Sequence, residues 1–259
     1  MPVHFPVRFL VIVFVFQCAF ATRAFAQKSD RSQSVKLDTL TWMDTSRHRP
    51  IPVAFFTLQR EAPVAKQRVV ILNHGYGQNM GGGYIAYSSV ANKLATEGYF
   101  VASIQHELPT DSLLPMKGVP QVVRRPFWDR GADNILFVIN QLRANYPTLD
   151  FKHITLIGHS NGGDMVALFP QKYPGIAGKV ITLDNRRMAL PRGTKPRIYS
   201  LRSSDQPADE GVLPTEAEVK VNKITIVKLP NTNHNDMDDS GTESQKKEIN
   251  DYLLRFLAE

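Results

Sequence analysis

At 259 residues, with 42% hydrophobic and 21% charged side chains, the chain falls in the ordinary globular range, which excludes a disordered, collagen-like or polytopic membrane protein. The formal charge of +7 raises the question of a polyanionic partner, but the basic residues are scattered as singles and short pairs such as Arg124-Arg125, Arg186-Arg187 and Lys246-Lys247. Scattered charge is a solvated surface, and no zinc finger, aromatic RNA-binding strand or basic helix is present, so nucleic acid is not expected as a partner.

Composition never shifts to a Pro/Ser linker after residue 34, so a single domain over 27–259 is expected. The first 26 residues differ in kind: no acidic residue, Arg8 near the start, an apolar run from Phe9 through Phe16, and small residues at Ala24-Phe25-Ala26. This pattern predicts a secretory signal cut before Gln27 and a secreted or periplasmic location. The apolar stretch to Phe20 is about 12 residues against the roughly 20 that span a bilayer, so no stable membrane insertion is expected after cleavage. The single cysteine, Cys18, would leave with the signal, taking disulfide, thiol-nucleophile and thiolate-metal chemistry with it. Loss of Arg8 and Arg23 would lower the charge from +7 to +5.

In the remaining chain, Val35 to Asp44 and Ile51 to Leu58 alternate as strands around the polar turn Thr45-Ser46-Arg47-His48-Arg49-Pro50, which predicts an antiparallel hairpin. Val69-Val70-Ile71-Leu72 is a short apolar run ending at His74-Gly75, as in a strand buried on both faces. Helical spacing follows from Tyr84 to Glu97, with Gly98 as C-cap, then a strand at Tyr99 to Ile104 and an amphipathic helix at Asp129 to Asn145. Strands are expected at His153 to Ile157, Val180 to Leu183, Arg197 to Leu201 and Ile224 to Leu229. Helices are expected near Asn161 to Tyr173, Pro214 to Val221 and Glu243 to Leu257. Such alternation predicts an α/β fold, a mostly parallel sheet covered by helices on both faces.

The strand His153 to Ile157 runs into Gly158-His159-Ser160-Asn161-Gly162-Gly163. The pentapeptide G-x-S-x-G is common by chance, but between a buried strand and a helix it predicts a sharp turn that holds Ser160 in a strained conformation above the sheet. The N–H of Asn161 at the helix start then points where an oxyanion would form. A second donor is expected from the loop His74-Gly75-Tyr76-Gly77, through the N–H of Tyr76. The spacing Gly75, Gly77, Gly81 does not fit a dinucleotide loop, and no Walker lysine follows.

A serine needs a base and the base an orienter. Of seven histidines, His74, His106 and His234 follow strands at the carboxyl edge of the sheet, where open sheets build their sites. Two acids compete: Asp184 after the strand at Val180 to Leu183, and Asp205 after the strand at Arg197 to Leu201.

With its HG loop, serine elbow, acid and histidine in this order, the chain from Val35 onward resembles an α/β-hydrolase. The hairpin text Asp44-Thr45-Ser46-Arg47-His48-Arg49-Pro50-Ile51-Pro52-Val53 is similar to the opening strands of the dienelactone hydrolase and platelet-activating-factor acetylhydrolase-like branch. The resemblance implies Ser160 as nucleophile, His234 as base, Asp205 as orienter, and Tyr76 and Asn161 as oxyanion donors, with Asp184 at a position that substitutes in some relatives. Too few residues separate Leu183 from Arg197 for a helical lid, so an open site is expected, overhung by Glu107 to Phe127 and walled by Trp128.

The expectation is an exported serine hydrolase that cleaves small-molecule carboxylic esters and needs neither cofactor nor metal. A peptidase or thioesterase with the same residues, or a nonenzymatic binding protein on the same fold, stands as the alternative. Asp236-Met237-Asp238-Asp239-Ser240-Gly241 begins like a calcium loop but carries Lys247 where a bidentate glutamate is required, so it is read as an acidic helix N-terminus. His106-Glu107 lacks the second histidine of a zinc protease and is read as a strand end or pocket rim.

Overall fold

The hairpin forms as its alternation demands: β1 (Val35–Asp44) pairs antiparallel with β2 (Arg49–Leu58), from Val35 opposite Leu58 to Asp44 opposite Arg49. Asp44 Oδ1 accepts the N–H of Ser46 at 3.1 Å and its hydroxyl at 2.6 Å, which closes the turn. The computed structural model describes residues 1–3, 34–59 and 66–259, so most of the predicted secretory signal, Cys18 included, lies outside the described residues.

After β3 (Arg68–Asn73) comes α1, Ser88–Thr96, and not the longer helix that periodicity predicts from Tyr84. The reason is tertiary. Asp239, from the far end of the chain, accepts the N–H groups of Ser88 and Ser89 at 2.7 and 2.9 Å and starts the helix there. The acidic stretch around Asp236 thus caps α1, whereas the last helix is capped by Thr242 and Gln245 in a capping box. Strand β4 (Phe100–Ile104) precedes a short helix α2 (Pro120–Val123) and the long α3 (Arg125–Asn145), whose start lies ahead of the expected Asp129. Pro126 is tolerated there because the first turn has no acceptor for its missing N–H.

The chain continues through β5 (Asp150–His159), α4 (Ser160–Lys172), β6 (Ala177–Leu183), β7 (Arg197–Arg202), α5 (Glu216–Asn222), β8 (Thr225–Lys228) and α6 (Glu243–Ala258). The sheet order is β1-β2-β4-β3-β5-β6-β7-β8, parallel from β4 through β8. Alternate strand residues feed two cores. Val69 and Ile71 pack with Trp128, Ile135 and Phe169 beneath α3 and α4, while Val70 and Leu72 pack with Leu94, Leu253 and Phe256 beneath α1 and α6. Between β3 and β5 the connections leave in opposite directions, which opens a crevice at the carboxyl ends of those strands.

Candidate active site

Ser160 sits at that crevice, on the turn from β5 into α4, with φ of 50°, a left-handed conformation unusual for a residue with a side chain. The turn requires its glycines. A Cβ on Gly162 would lie 2.4 Å from the carbonyl oxygens of Asn73 and His74, and one on Gly158 would lie 2.3 Å from the carbonyl oxygen of Gly162. The strain at Ser160 is therefore locked in by backbone packed on backbone.

The loop after β8 runs back across the sheet and brings His234, which is buried, to the serine: His234 Nε2 lies 2.8 Å from Ser160 Oγ. On the other side of the ring, His234 Nδ1 lies 2.6 Å from Asp184 Oδ2. The expectation that Asp205 orients the imidazole is corrected here. Asp205 is exposed, and its Oδ1 accepts the backbone N–H of His234 at 2.7 Å, so it holds the loop and not the ring. The cause is lateral position. Asp184 follows β6, the strand beside β5, while Asp205 follows β7, one strand farther from Ser160.

Asp184 is fully buried, and its φ of 54° turns the carboxylate inward at the strand end. Besides His234 it accepts the Ser203 N–H at 3.0 Å and the Ser203 hydroxyl at 2.7 Å, and it pairs with the buried Arg202 guanidinium at 2.9 Å. Burial pushes this carboxyl up, but the hydrogen bond from His234, the charge of Arg202 and the two Ser203 bonds outweigh it and hold the group below the usual carboxylate value. These contacts thus favour the charged form of Asp184. Arg202 and Ser203 escaped the sequence analysis. A charge that ends the apolar run Ile198-Tyr199-Ser200-Leu201 reads as the exit from a strand, not as an ion pair to another loop.

Of the two expected oxyanion donors, Asn161 directly follows the serine, and Tyr76 follows Gly75, on which a Cβ would lie 3.4 Å from Ser160 Cβ. Asn161 is in the first turn of α4, where N–H groups lack intrahelical acceptors. Its side chain is fixed from both ends: Oδ1 accepts from Trp128 Nε1 at 2.9 Å and Nδ2 donates to Glu107 Oε1 at 2.9 Å. Trp128 is consequently a fully buried clamp on the elbow and not the pocket wall expected of it. Tyr76 follows Gly75, which packs against Ser160, and the Tyr76 N–H pairs with no backbone carbonyl among the described residues. The Tyr76 hydroxyl accepts the N–H of Leu114 at 3.0 Å, and Asn79 Nδ2 donates to the carbonyl of Asp111 at 2.8 Å, so the segment after Glu107 is tied onto the loop after β3.

His74 and His106, the other two histidine candidates, do not reach the serine. His74 donates from Nδ1 to the Gly75 carbonyl at 2.6 Å and accepts the His106 N–H at Nε2, while His106 Nε2 bonds Asn73 Oδ1 at 2.9 Å. They belong to a buried polar network behind the crevice. A cleft of about 430 Å³ bordered by Arg68, Tyr99, His153 and Lys179 opens near the amino ends of the strands, away from Ser160. There Lys179 is spent on the carbonyls of Phe256 and Leu257 at the end of α6.

No protein-family model and no curated protein matches the chain. Solved structures do. Over 87% of this chain and 98% of the other, it superposes on a dienelactone hydrolase-like promiscuous phosphotriesterase from metagenomic libraries, with 14% identity and a TM-score of 0.60. It superposes on a lidless α/β serine hydrolase of Xanthomonas campestris over 85% and 95% of the two chains, with 17% identity and a TM-score of 0.54. A dipeptidyl aminopeptidase IV candidate from Bacteroides ovatus matches 88% of this chain with 13% identity and a TM-score of 0.61, but the match spans only 36% of that longer protein.

Proposed function

We propose that this α/β-hydrolase fold carries a serine hydrolase acting on carboxylic esters, with Ser160 as nucleophile, His234 as base and then acid, and Asp184 as orienter. The observation that carries the reading is the unbroken row Ser160 Oγ, His234 Nε2, His234 Nδ1, Asp184 Oδ2, with 2.8 and 2.6 Å contacts. His234 takes the hydroxyl proton as Ser160 attacks the ester carbonyl, and the carbonyl oxygen gains its negative charge between the N–H groups of Tyr76 and Asn161. The proton passes from His234 to the departing alcohol, leaving an acyl-serine. Water then gives a proton to His234, attacks the acyl carbonyl and releases the acid, and the proton returns to Ser160.

Similarity to the dienelactone hydrolase-like and lidless serine hydrolase structures supports the fold on which this chemistry runs, and the absence of a long insertion between β6 and β7 suits an open site for small esters. The first 26 residues carry the composition of a secretory signal, and we propose export of the chain. No helix among the described residues is long and apolar enough to cross a membrane.

The test is fluorophosphonate labelling with hydrolysis of p-nitrophenyl acyl esters and aminoacyl amides in parallel. Labelling of the wild type, its loss in Ser160→Ala, and faster turnover of esters than amides are expected. A wild type that takes no label would identify a binding protein that keeps the fold, label that persists in Ser160→Ala would place the reactive nucleophile elsewhere, and preferential cleavage of amides would make the chain a peptidase.

A further inference from the structure

We propose that Tyr87 and His159 are positioning residues that hold the oxyanion loop and the base loop in register around Ser160; the inference rests on the roles of Ser160 and His234 given above. The Tyr87 phenol accepts the N–H of Gly75 at 3.0 Å and lies 2.6 Å from His159 Nδ1. His159 Nε2 lies 3.0 Å from the carbonyl oxygen of His234. A carbonyl only accepts, so the His159 proton is on Nε2, and Nδ1 must accept from the phenol. Every direction in this row is thereby determined.

The row touches all three parts of the site. Its first member is the amide adjoining Tyr76, its middle member adjoins Ser160, and its last is the backbone of the base itself. A return path closes it. Asp239, five residues beyond His234, bonds the amides of Ser88 and Ser89, and its own N–H donates to the Ala86 carbonyl at 3.0 Å, so both neighbours of Tyr87 are anchored to the base loop.

The packing around the row leaves no slack. A Cβ on Gly75 would lie 3.0 Å from His159 Nδ1, 3.3 Å from the Tyr87 hydroxyl and 3.4 Å from Ser160 Cβ. These directions are those of a neutral His159, since an imidazolium would donate from both ring nitrogens. Burial, aided by the neighbouring His234 imidazole, pushes His159 down to about 3, and burial pushes the Tyr87 phenol well above its usual value. Both groups stay in the protonation state the row needs across the working range of a histidine base.

A positioning role and a packing role separate in kinetics. Tyr87→Phe keeps the ring and removes only the hydroxyl, His159→Leu removes both ring nitrogens, and His159→Gln keeps a donor for the His234 carbonyl and an acceptor for the phenol. Each is compared with the full-length wild type for p-nitrophenyl acetate hydrolysis, for the rate of Ser160 phosphonylation by a fluorophosphonate, and for thermal unfolding. Tyr87→Phe and His159→Leu are expected to lower kcat and the phosphonylation rate together by about 10- to 100-fold with KM within about threefold, the size of effect produced by misplacing reacting groups by an ångström or less. His159→Gln is expected to recover much of the loss. A lowered Tm with wild-type kcat and phosphonylation in the folded protein, or a loss confined to KM, overturns the inference. A wild type that is phosphonylated yet cleaves no ester refutes the ester reading and leaves the phosphonylation rates to decide this one; a wild type that is not phosphonylated refutes both.

Discussion

His234 and Asp184 meet across 2.6 Å, ring nitrogen to carboxylate oxygen, although 50 residues separate them and a second aspartate, Asp205, bonds the backbone of the same histidine. In the proposed mechanism Asp184 orients the ring through Nδ1, while Asp205 holds only the backbone of its loop. Asp184→Asn is therefore expected to lower kcat by about 10⁴. Asp205→Asn keeps an acceptor for the His234 N–H and is expected to cost no more than about tenfold. Steady-state hydrolysis of one ester by both variants checks the division, and a larger loss in the Asp205 variant would reverse it.

The Asp184 carboxylate also pairs with Arg202, at the end of β7, with Asp184 fully buried and Arg202 6% exposed. Removing the cation leaves a buried carboxylate short of a partner, and breaking such a pair from one side is costly even where the pair itself adds little. Arg202→Met should lower stability by about 3–5 kcal/mol. Arg202→Lys, which keeps the charge but not the planar fork that also reaches the Asn185 carbonyl, should fall between. Urea unfolding at neutral pH measures both.

Asp164, one turn beyond Ser160, is buried and accepts the N–H groups of Arg187 and Met188 at 2.9 and 2.8 Å. Burial pushes its carboxyl up to about 6, against the opposing pull of those amides. Because the folded value lies above the unfolded one, the group's contribution to stability is fully present below about pH 4 and is lost as pH rises through about 6. Asp164→Asn, which keeps an oxygen for both amides and carries no charge, should gain stability relative to the wild type as pH rises across that window. The difference should approach on the order of 3 kcal/mol. Thermal unfolding at pH 4.5 and 7.5 tests it, and a gap that does not widen with pH would refute the assignment.

Gly162 approaches the end of β3 so closely that Gly162→Ala would place a methyl 2.4 Å from two backbone carbonyl oxygens. Since backbone cannot yield like a side chain, the elbow itself must shift. The expected outcome is a loss of about 3 kcal/mol or more in stability, together with weaker ester hydrolysis by the protein that still folds. Wild-type turnover in a normally stable variant would show that the elbow is looser than its contacts imply.

The α/β order, the hairpin and the elbow were legible in the chain, because strand alternation, helical spacing and turn glycines are local, whereas His234 stood apart from His74 and His106 only through the hydrolase chain order. The start of α1 was not legible, since the Asp239 cap comes from 150 residues away, and neither was the burial of Trp128 against Asn161. The acid was the most instructive miss. Asp184 and Asp205 both follow apolar strands, and chain order alone cannot say over which strand end an imidazole will come to rest.

What the amino-acid sequence determined by itself was thus the order of strands and helices, the hairpin and the elbow turn at Ser160. Only the folded sheet decided which carboxylate meets the ring. That choice depends on lateral strand order and on the span of the loop after β8, and these arise when distant segments pack, not within any stretch of chain short enough to show a pattern.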